Sequence, residues 1–306
     1  MSRESLESSN LPPLGFNEDL RAHQPHCSSK DKALVPVKQT SLETTLCLAA
    51  AHALVLLDDG VVGDPMEKTT LDALDWKLSA GKSHCAQLFR HRADLCALAD
   101  DKIAPLDKAN SLHDAVVTVK RRFQFSSLLK RMSTISLVSV NGSKPRALIA
   151  VKGAPETLKG MFTSVPADYE ETYKGYAQRG SRVLALGYKW VENMSQKEMN
   201  TINRDHVESK LLFGGFLVFH CPLKPDAVST IRDLNDSSHR CVMITGDNPL
   251  TAAHVAKEVE IVDREVLILD HREGSADEAG AQPRALLQST KAYAERHRRP
   301  HLAHPR

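Results

Sequence analysis

Three runs of strand-forming residues, 115–120, 132–140 and 146–151, follow one another closely, and Asn141-Gly142 stands between the last two. Asn and Gly tolerate positive φ, so this pair predicts a tight reversal that makes its flanking runs antiparallel neighbours. The run 182–188, Arg-Val-Leu-Ala-Leu-Gly-Tyr, adds a strand, and helices are expected near 155–163 and 168–179. Such a series folds as an antiparallel sheet with helices laid against it.

Upstream, Ser41 offers a helix cap, and Leu42, Leu46, Ala49, Ala50 and Ala53 form an apolar face at helical spacing, which predicts a helix through about residue 56. After a loop at 57–60, a second amphipathic helix is expected over 65–78, with Leu71, Leu74 and Leu78 inward and Pro65 in the first turn, where proline is tolerated. Around residue 211 the pattern changes to a strand at 212–219, a helix at 225–237, a strand at 240–244 and a helix at 250–259. That alternation is parallel α/β in character. The expected class is therefore α/β: an α+β domain with an antiparallel sheet at 41–212, then a short parallel α/β domain at 213–270. Residues 1–40 read as a poorly ordered leader and 271–306 as a disordered tail.

The 306 residues allow two domains, and 40 basic against 38 acidic residues, mixed along the chain, leave no basic stripe to track a phosphodiester backbone. Nucleic acid is not an expected partner. Cys27, Cys47, Cys85, Cys96, Cys221 and Cys241 form no Cys-x-x-Cys pair and follow no secretory signal, so free thiols are expected, with neither bridges nor a zinc site. The longest apolar stretches, 46–57 and 211–219, are shorter than the ~20 residues that cross a bilayer, so no transmembrane segment is expected.

Four constellations carry possible chemistry. Residues 123–133, Phe-Gln-Phe-Ser-Ser-Leu-Leu-Lys-Arg-Met-Ser, join Phe125 and Lys130 at a strand-to-strand turn, able to stack a base and attract phosphate; a core Phe beside a solvated basic turn is the plainer alternative. Lys152-Gly153 ends a strand just before a helix start, where backbone amides favour an anion. Arg182 opens a buried strand, which on its own is a structural position. Finally, Thr245-Gly-Asp-Asn-Pro-Leu-Thr-Ala-Ala-His-Val-Ala256 follows the apolar run 241–244, as a phosphate-handling strand-loop-helix should.

In their order, FSSLLKRMS, VKGAPETL, RVLALGY, CPLKPDA and MITGDNPLTAAHVA resemble the cytosolic region of P-type ATPases over about residues 42–269. The wording LKRMS, KGAPETL and Cys221-Pro-Leu-Lys224 is similar to the type V group, most of all its A branch in the endoplasmic reticulum, implicated in removing mislocalised transmembrane helices. The resemblance implies a nucleotide-binding domain followed by an incomplete haloacid-dehalogenase-like phosphorylation domain. It implies ATP as ligand, with Phe125 stacking on adenine, Met132 packing beside the purine, and Lys130 and Lys152 lining the pocket ahead of Gly153. Glu67, within Gly63-Asp-Pro-Met-Glu67, would meet the adenine amino group and Arg182 the phosphates; the plainer alternative for Glu67 is a solvated first-turn acid. Thr245 and Gly246 would hold a transferred phosphoryl group, and Asp247 would meet nucleotide and domain interface, or else cap the helix starting near Pro249.

The departures are also informative. The family's Asp-Lys-Thr-Gly-Thr, which carries the phosphorylated aspartate, is absent: the Asp-Lys pairs are Asp31-Lys32, Asp101-Lys102 and Asp107-Lys108, none continuing as Thr-Gly-Thr. After Leu269 nothing matches the family's downstream lysine and Gly-Asp-Gly-x-Asn-Asp magnesium loop, and the membrane helices and actuator domain of the full-length family are missing. The expectation is a catalytically incomplete cytosolic portion with no catalytic or metal-ligating residue of its own, magnesium belonging to the full-length enzyme. The full-length family would sit at the endoplasmic reticulum membrane, and this chain alone in the cytosol. A free-standing nucleotide-binding or decoy module is the alternative, and a soluble dehalogenase-like phosphatase a weaker one, given the absent nucleophile.

Overall fold

The computed structural model describes residues 21–23, 34–57, 60–79, 101–105, 114–271, 285–290 and 292. Cys27, Cys85, Cys96, the pairs Asp31-Lys32 and Asp107-Lys108, and most of the expected leader and tail lie outside them.

The expected sheet is present and larger than the sequence suggested. Its strands are β1 (Arg21–His23), β2 (Val35–Pro36), β5 (Trp76–Ser79), β6 (Asp101–Pro105), β7 (Val116–Ser126), β8 (Arg131–Ser139), β9 (Arg146–Gly153), β10 (Arg182–Val191) and β11 (Leu212–Phe219). They run in the order β2-β1-β11-β10-β9-β8-β7-β6-β5, every neighbour antiparallel. Asn141 and Gly142 take φ of 53° and 68°, and the Ser143 amide donates to the Val140 carbonyl at 3.0 Å, closing the expected reversal between β8 and β9.

β9 shows why the sheet holds. Leu148 and Ala150 face one apolar cluster, under α1 (Leu42–Ala50) and α2 (Pro65–Leu74), whereas Ala147, Ile149 and Val151 face a second, under α3 (Pro155–Leu158) and α4 (Tyr169–Ala177). A strand covered on both faces needs a continuous apolar run, since successive side chains point to opposite sides. Leu148 and Ile149 are each fully buried, contributing roughly 1.5–3 kcal/mol apiece. Across the second face, Tyr169 packs against Phe213 and Phe216 with ring centroids 5.2 and 4.8 Å apart.

Both early helices end before the sequence-based expectation. Ser41 does cap α1, its Oγ accepting from the Thr44 amide at 3.3 Å, but the helix stops at Ala50, and Val55–Leu57 (β3) pairs with Gly60–Val62 (β4). α2 stops at Leu74 because Asp75 turns left-handed (φ 57°), after which Trp76 and Leu78 bury alternately as β5.

The region after 211 departs further. Leu212–Phe219, expected to open a parallel unit, is instead β11, paired with β10 and β1, with Phe216 and Val218 in one core and Leu217 and Phe219 in the other. Helix α7 (Ala227–Asp236) forms near its expected place, but 240–244 makes no ladder among the described residues, and Val242 and Ile244 are 72% and 95% exposed. An extended run becomes a strand only where a neighbour accepts its amides. Helix α8 (Pro249–Glu258) follows, and its Leu250 packs with Ala177 and Ile268 in a small third cluster. Leu267–His271 (β12) pairs with Ala285–Ser289 (β13), inside the stretch expected as tail.

Cys47 is buried and Cys221 and Cys241 are not, and all three are free thiols. Burial pushes the Cys47 thiol up to about 12. No helix among the described residues is long and apolar enough to cross a membrane.

Candidate nucleotide site

The site forms at the end of the sheet where β8 begins, β9 ends and β10 begins. Antiparallel pairing sets Met132 opposite Lys152 and Arg131 opposite Gly153, and Gly153 opposite Ala185 on the other side. Lys152 and Gly153 therefore lie between the β7–β8 turn and the start of β10.

Glu67 enters from the first turn of α2. That turn is fixed by Pro65 and by Asp64, whose Oδ1 accepts from the Met66 amide at 2.7 Å, which places the Glu67 carboxylate at the helix N-terminus. It is not a solvated acid: its residue is 9% exposed, its Oε1 pairs with Lys152 Nζ at 2.9 Å, and its Oε2 accepts from the Ala53 amide at 2.8 Å. A carboxylate has about four lone-pair sites, so two partners leave capacity for a further donor such as an exocyclic amine. The 52–54 loop that aims the Ala53 amide is itself held: His52 Nδ1 accepts from the Leu54 amide at 3.1 Å, and the His52 carbonyl accepts from Arg122 at 3.1 Å. Burial foremost, then the nearby Arg122 and Lys152, holds this imidazole well below its usual pKa, so it stays neutral.

Phe125 and Lys130 lie in the β7–β8 turn. Phe125 is 61% exposed, so the alternative of a core Phe fails. Lys130 adopts φ 49°, and its carbonyl accepts from the Ala154 amide at 3.0 Å, tying the turn to the end of β9. Met132, the cross-strand partner of Lys152, is 1% exposed. At Gly153 an added Cβ would lie 2.6 Å from both the Lys130 carbonyl and Arg131 Cβ. Gly153→Ala should thus force turn and strand apart and cost roughly 1–3 kcal/mol, read as a lower urea midpoint with unchanged slope.

Arg182 connects this end to the Thr245–Asp247 loop. Its Nε donates to Asp247 Oδ1 at 2.7 Å, Nη2 donates to the same oxygen, and Nη1 lies 3.0 Å from Met66 Sδ beside Glu67. Helix α8 is capped by Asn248, whose Oδ1 accepts from the Leu250 amide at 3.0 Å, so Asp247 is not the cap and its carboxylate is turned to Arg182. Thr245 Oγ1 accepts from the Asp247 amide at 3.1 Å, and Gly246 has open space where a Cβ would be. A further bond, from Thr251 Oγ1 to the Ser181 carbonyl at 3.1 Å, seats α8 on the start of β10.

This end of the sheet thus carries a buried carboxylate with spare acceptor capacity, an exposed aromatic residue, two lysines and an arginine. Such a set is suited to a planar base carrying a polyanion. Sequence reading missed Met66, Arg131, Arg204 and Glu208 around it. The last two sit in a short polar stretch without apolar periodicity, where only the run of charge at 204–208 could have drawn notice.

Residues 95–226 match the family described as P-type ATPase, cytoplasmic domain N. The chain is 50% identical over 238 residues, 75% of its length, to the endoplasmic reticulum transmembrane helix translocase spfA of Aspergillus fumigatus, covering 17% of that protein. It is 48% identical over 236 residues to the Saccharomyces cerevisiae endoplasmic reticulum transmembrane helix translocase, covering 77% of the chain and 17% of the relative. Against the probable manganese-transporting ATPase PDR2 of Arabidopsis thaliana identity is 41% over 252 residues, 82% of the chain and 19% of the relative. The chain belongs to the P-type ATPases and represents part of their cytosolic region. Its likeness to endoplasmic reticulum translocases is what the type V wording of its motifs implied, and it spans less than a fifth of the length of these relatives.

Proposed function

We propose that this chain binds ATP at the edge described above, as the nucleotide-binding portion of a type V P-type ATPase acting at the cytosolic face of the endoplasmic reticulum membrane. The observation that carries the reading is the buried Glu67–Lys152 pair at 2.9 Å, at the same end of the sheet as the exposed Phe125, with Arg182 Nη1 3.0 Å from Met66 Sδ. Phe125 stacks on adenine, Glu67 accepts from its amino group, Lys152 and Lys130 offset the charge of the nucleotide, and Arg182 reaches its phosphates on exchanging Asp247 for them. Magnesium arrives with the nucleotide as counter-ion to its phosphates; the described residues gather no group of three His, Cys, Asp or Glu that would hold it independently.

Nucleotide-driven transport, or removal of transmembrane helices, belongs in this reading to a longer protein that supplies the aspartate nucleophile and the membrane domain. We take the second unit to begin after Phe219, with Thr245, Gly246 and Asp247 as phosphoryl and hinge contacts of an incomplete phosphorylation domain. The exposure of Val242 and Ile244 supports that over a self-sufficient module, since a monomer rarely leaves an apolar strand sequence unpaired.

Equilibrium dialysis against labelled ATP with magnesium should show saturable retention on the chain, and acid quenching should then release all of the label. A covalent route passes through an aspartyl phosphate, and neither Thr245 nor Gly246 can stand in for that nucleophile. Absence of saturable retention would remove the binding reading. Hydroxylamine-sensitive label surviving the quench would show that the chain carries its own nucleophile.

A further inference from the structure

The β7–β8 tip that presents Phe125 and Lys130 is closed at Ser126–Arg131 and tied to β9 through the Lys130 carbonyl, but its outer strand at Gln124 and Phe125 lies outside the regular ladder. Ladder register between β7 and β8 breaks between Phe123 and Ser126, Phe125 is mostly exposed, and Leu128 at the apex is 90% exposed. Neither apolar packing nor the regular ladder therefore fixes the angle at which the Phe125 ring is offered.

A polar clamp does. Helix α6 (Arg204–Val207), reached from α5 (Gln196–Thr201), ends at Glu208, which is 3% exposed. Glu208 Oε2 accepts from Arg131 Nε at 2.6 Å, and its Oε1 accepts from Ser133 Oγ at 2.7 Å and from Arg204 Nε at 2.8 Å. Arg204 then donates through Nη1 to the Gln124 carbonyl at 3.3 Å and through Nη2 to the Arg131 carbonyl at 3.0 Å, and Arg131 Nη1 donates to the Leu129 carbonyl at 3.2 Å. The gripped carbonyls, of residues 124, 129 and 131, flank Phe125 and Lys130 on both strands. The clamp is anchored in turn, because Arg121 donates to the Met199 and Ile202 carbonyls at 3.1 and 2.8 Å while lying over the Phe123 ring at 4.3 Å.

We propose that Arg204 and Glu208 are positioning residues for nucleotide binding: they lock the tip so that Phe125 and Lys130 meet base and phosphate in one fixed geometry. The proposal rests on the ATP reading above. Glu208 is buried to hold two guanidiniums at set angles, and the fork of Arg204 spans both strands of the tip, which a lysine ammonium cannot do.

The test uses the full chain with Arg204→Ala, which leaves Glu208 paired to Arg131, and Glu208→Gln, which keeps an acceptor for Ser133. Calorimetry should show ATP bound about tenfold more weakly by Arg204→Ala, since ring stacking is what lapses. Hydrogen exchange at amides 126–131 should quicken, with the thermal midpoint near that of the parent. Arg204→Lys, which keeps the charge but not the fork, should not restore affinity. Adding Arg204→Ala to Phe125→Ala should cause little further loss, because both act through the same ring. Parent affinity in Arg204→Ala, or a full additive loss in the double variant, overturns the proposal. Exchange decides it separately from the ATP reading: unchanged protection of 126–131 in both Arg204→Ala and Glu208→Gln overturns the clamp even in a chain that binds no ATP.

Discussion

Lys152→Ala is expected to remove about 3 kcal/mol of folding stability and to weaken ATP binding by at least about tenfold. The side chains of Lys152 and Glu67 are 12% and 10% exposed, and they meet at 2.9 Å. Truncating the lysine leaves a buried carboxylate with the Ala53 amide as its remaining donor. Breaking a buried pair from one side typically costs about 3–5 kcal/mol, and the surviving amide bond places this case at the low end. Glu67→Gln added to Lys152→Ala should recover much of the stability, since a neutral amide needs no counter-charge, but not the affinity. Urea unfolding of the two variants beside the parent measures this. A loss below about 1 kcal/mol for Lys152→Ala, the range of exposed ion pairs, would show that the pair is open to solvent.

Local chemistry was legible in the sequence; the choice of neighbours was not. Ser41 capped its helix and Asn141-Gly142 reversed the chain, because each is decided by a few adjacent atoms. The ends of α1 and α2 were overrun. At Asp75 the backbone turns left-handed, and Trp76 and Leu78 answer to strand β6, a partner more than 20 residues on. β11 was assigned to the wrong neighbours for a related reason: the run 212–219 reads as a strand beside either a parallel or an antiparallel partner, and only the pairing of Val218 with Val183 and Arg21 decides. Residues 240–244 have strand composition and found no ladder among the described residues.

The site followed the same division. Glu67 pairs with Lys152, and Phe125, Lys130, Gly153 and Arg182 lie towards the same end of the sheet. Met132 is covered, and Asp247 joins Arg182 where helix capping had been the alternative. What supports the site from behind, Arg204 and Glu208, is 70 to 80 residues from its partners in sequence and carries no periodicity to mark it.

The second large effect is at Phe125. Its ring is 61% exposed at the tip of a hairpin, a position where an aromatic side chain gains little for folding. Phe125→Ala should therefore leave the urea midpoint nearly unchanged, while binding loses the base stack, worth roughly 1–3 kcal/mol on single-strand platforms and so about tenfold in affinity towards the low end of that range. The loss should be shared by ATP and adenosine, and inorganic triphosphate should bind parent and variant alike, because the lysines and Arg182 are untouched. Calorimetric titration of ATP into the parent chain and into Phe125→Ala is the most direct measurement. The expected result is saturable binding by the parent that falls about tenfold in the variant at equal stability; equal affinity in the two proteins would contradict a nucleotide site at this edge of the sheet.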